Sequence, residues 1–361
     1  MSRAAVITMA TRHQVFLERL KTQTAVDFSS VLPKLSNAIG QVMSTLEVES
    51  LDKLTKAELK KLLTDLRTEQ EVLIAAANQK LIKNLKALSS YEADFEWRML
   101  QTIANAAGQK IDLAALAAKD AWGAATSRPL NAAGQLLEPF IAGWGAKQVE
   151  GVNQAVMRAW GQGRTTGQLM RDIRGTKALN YNDGLVVVSR RQAEAVARTS
   201  VQQVAQSVRM ETWQENDDLV EGYIFVATLD SKTTSQCRSL DGQEFELGKG
   251  PMPPLHINCR STTIPKLPKE FDFLDKGATR SSKDGYVSAG QTYYDWLGNQ
   301  SAAFQDEALG PTRAALFRDG GLDAQEFAAL NLGTNFQPLT LEQMQAKEPL
   351  VFERAGITLS E

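Results

Sequence analysis

The sequence predicts an α+β fold that is predominantly α-helical, with a long helical N-terminal region followed by a smaller mixed domain. Three observations support this prediction. Leucines recur at helical spacing early in the chain, a run rich in β-branched and aromatic residues at 223–229 predicts a short sheet, and prolines and glycines cluster in loops at 230–268. The chain has 361 residues, more than one compact core usually holds, so we expect two or three domains.

Residues 1–145 are predicted to be helical. The clearest helix start is the capping box Thr55-Lys56-Ala57-Glu58, in which each end residue can bind the backbone amide of the other. The leucines that follow it at helical spacing are Leu59, Leu62, Leu63 and Leu66. The alanine-rich stretch 104–126 predicts a further, close-packed helix, and glycines between 134 and 151 place a domain boundary near residue 145.

The segment 147–209 is basic, although the chain as a whole is not. Lys and Arg total 40 against 42 Asp and Glu, a net charge of -2, which argues against a protein covered in basic charge. The segment itself holds ten basic and four acidic residues, a local net charge of +6. Capping boxes at Thr165 and Ser189 predict that two helices of this segment begin there.

Five arginines on these two helices are candidate contacts for DNA phosphates or for an acidic protein partner. On the second helix, three of them share one predicted stripe with Gln202, opposite an apolar face. The alternative is an ordinary solvated face of the helix. The five candidates are Arg171, Arg174, Arg191, Arg198 and Arg209.

The rest of the chain predicts mixed structure. The run 223–229 is the predicted strand, and the Pro/Gly-rich residues 230–268 are a predicted loop region. Helices are predicted over 292–309 and 324–330. Thr340 and Gln343 form a last capping box.

Both cysteines of the chain and one of its two histidines lie within 237–259. So few soft ligands exclude a disulfide scaffold and a cluster with four cysteine ligands. Cys237, His256 and Cys259, with Asp230 or Asp241 as an oxygen ligand, match the donor types of a structural Zn²⁺ site. Three alternatives stay open: a disulfide, buried inert cysteines with a hydrogen-bonded histidine, and a catalytic Cys–His pair. His13 is isolated and has no predicted role.

Motifs for several other functions are missing from the sequence. It contains no phosphate-binding loop, no H-E-x2-H and no G-x-S-x-G. It also has no apolar run of about 18 residues and no convincing signal peptide. We therefore expect a soluble protein of a reducing cytoplasm, without a membrane partner.

An ordered set of short segments resembles a known family, the minor head (head morphogenesis) proteins of tailed bacteriophages related to the Mu F protein. The resemblance covers about residues 150–335. Two positions depart from the usual pattern: Ser200 stands where the family often has an acid, and Ser261 where it often has a further cysteine. The segments that carry it are Ala197-Arg198-Thr199, Val226-Ala227-Thr228-Leu229-Asp230-Ser231-Lys232-Thr233-Thr234, Cys237, Leu240-Asp241-Gly242, Pro253-Pro254-Leu255-His256-Ile257-Asn258-Cys259-Arg260, Tyr293-Tyr294-Asp295-Trp296-Leu297, Leu309-Gly310-Pro311 and Leu316-Phe317-Arg318-Asp319-Gly320.

The resemblance implies a non-enzymatic minor capsid protein that acts in head morphogenesis. It implies a place in the virion near the portal vertex, with assembly in the host cytoplasm. The implied partners are the portal protein, the major capsid or scaffolding protein, and packaged double-stranded DNA. On this basis the chain divides into an N-terminal helical region that docks during assembly (1–145), a Mu F-like domain (146–335) and a C-terminal tail with a short helix (336–361).

The alternative function is a toxin-like or nucleic-acid-modifying enzyme that uses the Cys237, His256 and Cys259 region. Phage head domains of this kind also occur fused to effector domains. Little chain follows residue 335 to hold a separate effector.

Overall fold

Most of the described residues lie in α-helices, and the strands are few and short. The computed structural model describes residues 3–108, 110–271 and 277–359. The helices that precede the sheet are α1 (Arg3–Ser29), α2 (Val31–Ser44), α3 (Lys56–Ala106), α4 (Ala118–Ser127), α5 (Leu137–Gly161), α6 (Thr166–Arg174) and α7 (Leu185–Gln214). The later, short helices are α8 (Ser235–Leu240), α9 (Tyr293–Gly298), α10 (Ala302–Leu309), α11 (Pro311–Asp319), α12 (Ala324–Leu330), α13 (Leu341–Lys347) and α14 (Pro349–Arg354). The predicted fold class is confirmed.

A three-stranded antiparallel sheet follows the long helices. Its strands are β1 (Gly222–Val226), β2 (Glu244–Glu246) and β3 (Thr262–Lys266), with β1 in the centre. Tyr223 and Phe225 of β1 are fully buried, which explains the aromatic run that predicts the strand. A separate hairpin pairs β4 (Thr279–Ser282) with β5 (Gly285–Ser288).

The chain divides into two compact units, and each is described by itself. Unit 1 comprises Met1–Phe16, Tyr91–Ala121 and Gln206–Glu361, and unit 2 comprises Leu17–Ser90 and Trp122–Ala205. Both units are built from discontinuous stretches of chain. The linear division at residues 145 and 335 stays a prediction.

Unit 2 has a core made by helices. The predicted leucine stripe of α3 is buried there and packs with apolar residues of α5 and α6. The members that form this contact are Leu59, Leu62, Leu66, Val152, Val156, Leu169 and Ile173. In unit 1, a small apolar cluster under the sheet includes Phe225, Leu240 and both cysteines. No helix in the described part of the chain is long and apolar enough to cross a membrane.

Three of the four predicted capping boxes form. Thr55, Thr165 and Thr340 each accept a hydrogen bond from the amide three residues later, and the side chain there binds back. The prediction at Ser189 is wrong, because α7 already begins at Leu185. The apolar residues 185–188 continue the helix, so Ser189 lies buried inside it.

Three other local predictions need correction. Within 104–126, α3 ends at Ala106 and α4 begins only at Ala118, because Gly108 takes a φ of 68° that a helix cannot continue. The predicted helix over 292–309 is two helices, α9 and α10. The Pro/Gly-rich residues 230–268 are not all loop, since they also contain α8, β2 and β3.

Candidate metal centre and basic helices

Cys237 is positioned by the first turn of α8. Thr234 precedes this helix, and its hydroxyl accepts a hydrogen bond from the Cys237 amide at 3.5 Å. The Cys237 side chain is fully buried in the cluster beneath the sheet. Its place in the site therefore depends on how α8 packs in this cluster, which residue spacing alone does not reveal.

A tight turn brings His256 and Cys259 together. The Cys259 amide donates to the His256 carbonyl at 3.1 Å, which closes a four-residue turn. Asn258 has a φ of 61° in this turn, a left-handed conformation that asparagine tolerates better than most residues. The predicted His-x2-Cys pairing is thus produced locally.

The three predicted soft ligands meet at one point in unit 1. Cys237 Sγ lies 3.4 Å from His256 Nε2 and 3.9 Å from Cys259 Sγ, and the three ligand atoms all lie within 4.8 Å of one another. Both cysteines are free thiols in this arrangement, so the disulfide alternative is not what the structure contains. Cys237, His256 and Cys259 can therefore reach a single metal ion.

The two cysteines differ in their tendency to ionise. The hydrogen bond with Cys259 and burial raise the pKa of the Cys237 thiol well above its usual value. The hydrogen bond from Cys237, helped by His256, holds the pKa of Cys259 well below its usual value despite burial. Burial alone would lower the pKa of His256, but its hydrogen bond to Cys259 and the charge there raise it. The cluster thus favours a thiolate on Cys259.

Groups around the cluster orient its donor atoms. His256 Nδ1 lies 3.0 Å from the Ile257 carbonyl, which can only accept, so Nδ1 carries a proton and donates. This leaves Nε2 to face Cys237. The Leu255 amide donates to the Cys259 sulfur, and the Ser261 hydroxyl is hydrogen-bonded to the Cys237 sulfur. Two signals in the sequence place Ser261 near the cluster: it is close to Cys259 in the chain, and it stands where the resembled family often has a further cysteine.

The predicted oxygen ligands are engaged elsewhere. Asp230 accepts two hydrogen bonds from Arg260, one of them at 2.9 Å. Burial would raise the pKa of Asp230, but the hydrogen bonds and charge of Arg260 lower it. Asp241 is bound by Arg280 at 2.8 and 2.9 Å. Among the described residues, the structure therefore brings no carboxylate to the two cysteines.

Four of the five candidate arginines lie in unit 2. Arg171 on α6 and Arg191 on α7 are exposed. Arg174 is also exposed, and its Nε donates to Ser36 Oγ at 3.1 Å. Arg198 is half-buried and donates to the Thr22 hydroxyl at 3.3 Å. These positions stay candidates for contacts with phosphates or an acidic partner.

Arg209 is buried in unit 1. Its Nε donates to Glu96 at 2.6 Å, and its Nη1 donates to the Thr262 hydroxyl at 2.6 Å and the Thr263 carbonyl at 3.0 Å. Gln202 is fully buried as well. The prediction of one exposed stripe through Arg191, Arg198 and Arg209 is therefore wrong, because other elements cover part of this face of α7.

Glu96 also belongs to a buried polar cluster that the sequence analysis missed. His13 Nε2 lies 2.9 Å from Glu92, and the His13 ring stacks on Phe95 with 3.7 Å between ring centroids. Ligand atoms of His13, Glu92 and Glu96 lie within 4.8 Å of one another. The available signal was the four-residue spacing of Glu92 and Glu96, which puts both carboxylates on one face of a helix.

The candidate residues all fall in one stretch of chain that is similar to a known family. Residues 150–264 match the family described as Phage Mu protein F like protein. The predicted resemblance is confirmed over this segment, and head morphogenesis is the role that it implies. No curated protein and no solved structure has a significant match to the chain.

The Mu F-like segment contains β1, α8, β2, the first residues of β3, the three candidate metal ligands and all five candidate arginines. It ends at residue 264, so the likeness of the later motifs, such as Tyr293 to Leu297, stays a prediction. Those motifs nonetheless contact the segment. Tyr293 Oη donates to the Asp230 carbonyl at 2.7 Å, and the Arg238 guanidinium lies over the Tyr293 ring at 5.4 Å.

Proposed function

We propose that this protein is a structural, non-enzymatic component of a tailed-phage head, placed near the portal vertex. The observation that carries the proposal is the Mu F-like match over residues 150–264. The role in head morphogenesis follows from that family. The portal as partner, and the copy number that a portal vertex would imply, are part of the proposal.

The contacts of the motif residues support a structural role. Asp230 of one motif binds Arg260 of another, and Asp241 of a third binds Arg280 of the hairpin. The Asp241 side chain is fully buried, so this ion pair lies within the unit rather than at its surface. Carboxylates of these motifs thus join distant parts of unit 1, as expected of residues with a structural role.

Quantitative mass spectrometry of purified procapsids and virions tests the proposed location. The experiment uses the phage, or the induced prophage, that encodes this chain. We expect the protein in wild-type procapsids and a sharp loss of it from procapsids assembled without portal protein. Absence from procapsids and virions would refute the structural role. Equal amounts with and without portal would refute only the place at the portal vertex.

Contact with packaged DNA is a separate part of the proposal and concerns unit 2. The arginines that support it are Arg171, Arg174, Arg191 and Arg198, because the local charge of 147–209 is strongly positive. Among the described residues, Arg171 and Arg191 are exposed and have no hydrogen-bonded or ion-paired side-chain partner. Arg209 is left out, since it pairs with Glu96. Binding by these residues would be to phosphates, and therefore independent of base sequence.

Salt dependence of DNA binding tests this contact. The logarithm of the DNA-binding constant falls linearly with the logarithm of the salt concentration, and each phosphate contact adds about 0.9 to the steepness of that fall. The double variant Arg171→Ala with Arg191→Ala should therefore make the slope less steep by about 2. The matched control is Lys60→Ala with Lys61→Ala on α3, which removes the same charge from exposed positions of unit 2. If the arginine and lysine double variants change the slope equally, or if neither changes it, these arginines do not contact the phosphates.

A direct assay addresses the enzymatic alternative. Purified full-length protein is incubated with DNA and with RNA, in the presence and absence of Zn²⁺. We expect both substrates to remain intact. Cleavage or modification that is lost in Cys259→Ser would replace the structural proposal with an enzymatic one.

A further inference from the structure

We propose that Cys237, His256 and Cys259 bind one Zn²⁺ ion that ties α8 to the turn preceding β3. The zinc would have three ligands from the protein, with its fourth position beside Ser261. The argument rests on distances, donor orientation and burial in unit 1, and it does not depend on the role in the phage head.

The distances fit a tetrahedral zinc site. With Zn–S bonds of about 2.3 Å and a Zn–N bond of about 2.0–2.1 Å, tetrahedral angles separate two sulfurs by about 3.8 Å and a sulfur from a nitrogen by about 3.5 Å. The structure has 3.9 Å between the Cys237 and Cys259 sulfurs and 3.4 Å between Cys237 Sγ and His256 Nε2. These two distances already match a shared ion, and the Cys259 and His256 ligand atoms lie within 4.8 Å of each other.

The donor atoms are already oriented for coordination. A histidine that binds a metal usually donates its other ring N–H to a carbonyl or carboxylate, which fixes the tautomer. His256 does so through Nδ1 and the Ile257 carbonyl, and this leaves Nε2 for the metal. The amide of Leu255 donates to the Cys259 sulfur, an interaction that stabilises a thiolate ligand.

The surroundings select zinc over harder cations. Both cysteines are almost completely buried, at 0% and 2% exposed, and a buried thiolate needs a compensating positive charge. The nearby carboxylates of Asp230 and Asp241 are each held by an arginine. The remaining donors are two sulfurs and an imidazole, which suit Zn²⁺ and not Mg²⁺ or Ca²⁺.

The ion would bind two elements whose ends also carry ion-paired residues. Cys237 lies on α8, which ends next to Asp241, and Cys259 is followed by Arg260, the partner of Asp230. Zinc is therefore expected to fix the loop 251–261 against α8. Its binding would replace the proton of each ligating thiol by an S–Zn bond, and the released protons would pass to water.

The first test measures zinc and cobalt in the full-length protein. Elemental analysis after purification without added metal or chelator should find about one zinc per chain, and reconstitution with Co²⁺ should produce the d–d bands of a tetrahedral thiolate site. Fewer than about 0.1 equivalents of zinc bound after incubation with Zn²⁺ and removal of the excess, or octahedral cobalt bands, would overturn the proposal. Thiols that react only after reduction would also overturn it, because they would show a disulfide.

The second test uses variants that distinguish the ligands. Cys259→Ser and His256→Gln should lose at least about nine tenths of the bound zinc. Asp230→Asn is the matched control, since it removes a carboxylate that lies outside the cluster. This variant should still bind one equivalent of zinc. Ser261→Cys places a thiol beside Cys237 and should tighten zinc binding by about tenfold or more, measured by competition with a chromogenic chelator. Zinc lost equally in Asp230→Asn, or unchanged affinity in Ser261→Cys, would contradict the assigned ligand set.

Discussion

Replacement of Arg209 by methionine should destabilise unit 1 strongly. Sequence analysis placed Arg209 among the candidates for DNA contact, whereas the structure pairs it with Glu96 at 2.6 Å. The side chains of Arg209 and Glu96 are 5% and 0% exposed. Methionine keeps much of the apolar stem of arginine but removes the charge and every hydrogen bond that the guanidinium makes.

The size of the effect follows from what the substitution leaves behind. Glu96 would keep a hydrogen bond from Trp213 Nε1 at 3.2 Å, but its buried carboxylate would lose the guanidinium that contacts it. The Thr263 carbonyl would also lose its bond from Arg209. Removing one partner of a buried ion pair costs about 3–5 kcal/mol, so we expect a loss of that order in the free energy of unfolding.

Urea denaturation followed by tryptophan fluorescence measures the loss. Arg191→Met is the matched control, because Arg191 lies on the same helix and is exposed, and it should change stability by less than about 0.5 kcal/mol. Adding Glu96→Gln to Arg209→Met removes the unpaired buried charge. The double variant should therefore recover at least half of the lost free energy of unfolding. Equal stability of Arg209→Met and Arg191→Met would refute the assignment of a structural ion pair.

The same variants have an expected pH dependence. Burial raises the pKa of Glu96 above its ordinary 4.5, and the charge of Arg209 opposes this shift, so Arg209→Met should raise the pKa further. A raised folded-state pKa contributes stability below the unfolded value and loses it as the pH rises through the folded value. Arg209→Met should therefore recover stability as the pH falls from neutral toward 4.5. The double variant keeps the neighbouring Glu92 and His13 but lacks the Glu96 carboxyl, and it should not show this recovery.

Two further substitutions test other features of the fold. Arg280→Met should destabilise unit 1 by about 3–5 kcal/mol in urea denaturation, because the Asp241 side chain is fully buried, and a loss below about 1 kcal/mol would contradict this. Thr165→Ala should cost about 1 kcal/mol through the lost cap of α6, whereas Thr165→Ser should restore it, and an unchanged urea midpoint in the alanine variant would refute the cap.

Features that depend on neighbouring residues could be predicted from the sequence. The caps at Thr55 and Thr165 involve only four consecutive residues each, and the turn between His256 and Cys259 is just as short. The failed cap at Ser189 shows the limit. Its local pattern matches a helix start, but Trp144 donates to the Ser189 carbonyl at 3.1 Å and the helix extends back to Leu185. Tertiary packing there outweighs the local preference.

Contacts between residues far apart in the sequence determine which charged side chains are buried and which are exposed. A helical wheel shows which residues of α7 share a face, but not that Glu96, 113 positions away in sequence, lies opposite Arg209. For that reason Arg209 resembled the exposed Arg191 until the structure was known. The fold class was easier to predict, because helix length and strand composition do not depend on which elements pack together.

The pairing of Asp230 with Arg260 affects which metal ion the candidate site prefers. As a ligand, this carboxylate would have made the donor set harder and added a negative charge to a site with two sulfurs. Arg260, the residue directly after Cys259, instead binds Asp230 through both of its terminal nitrogens. The arginine that follows the second thiol therefore engages the predicted oxygen ligand, and two sulfurs and one imidazole remain. The predicted ligand that the structure excludes thus makes zinc a better match for the site, since softer donors favour it over magnesium and calcium.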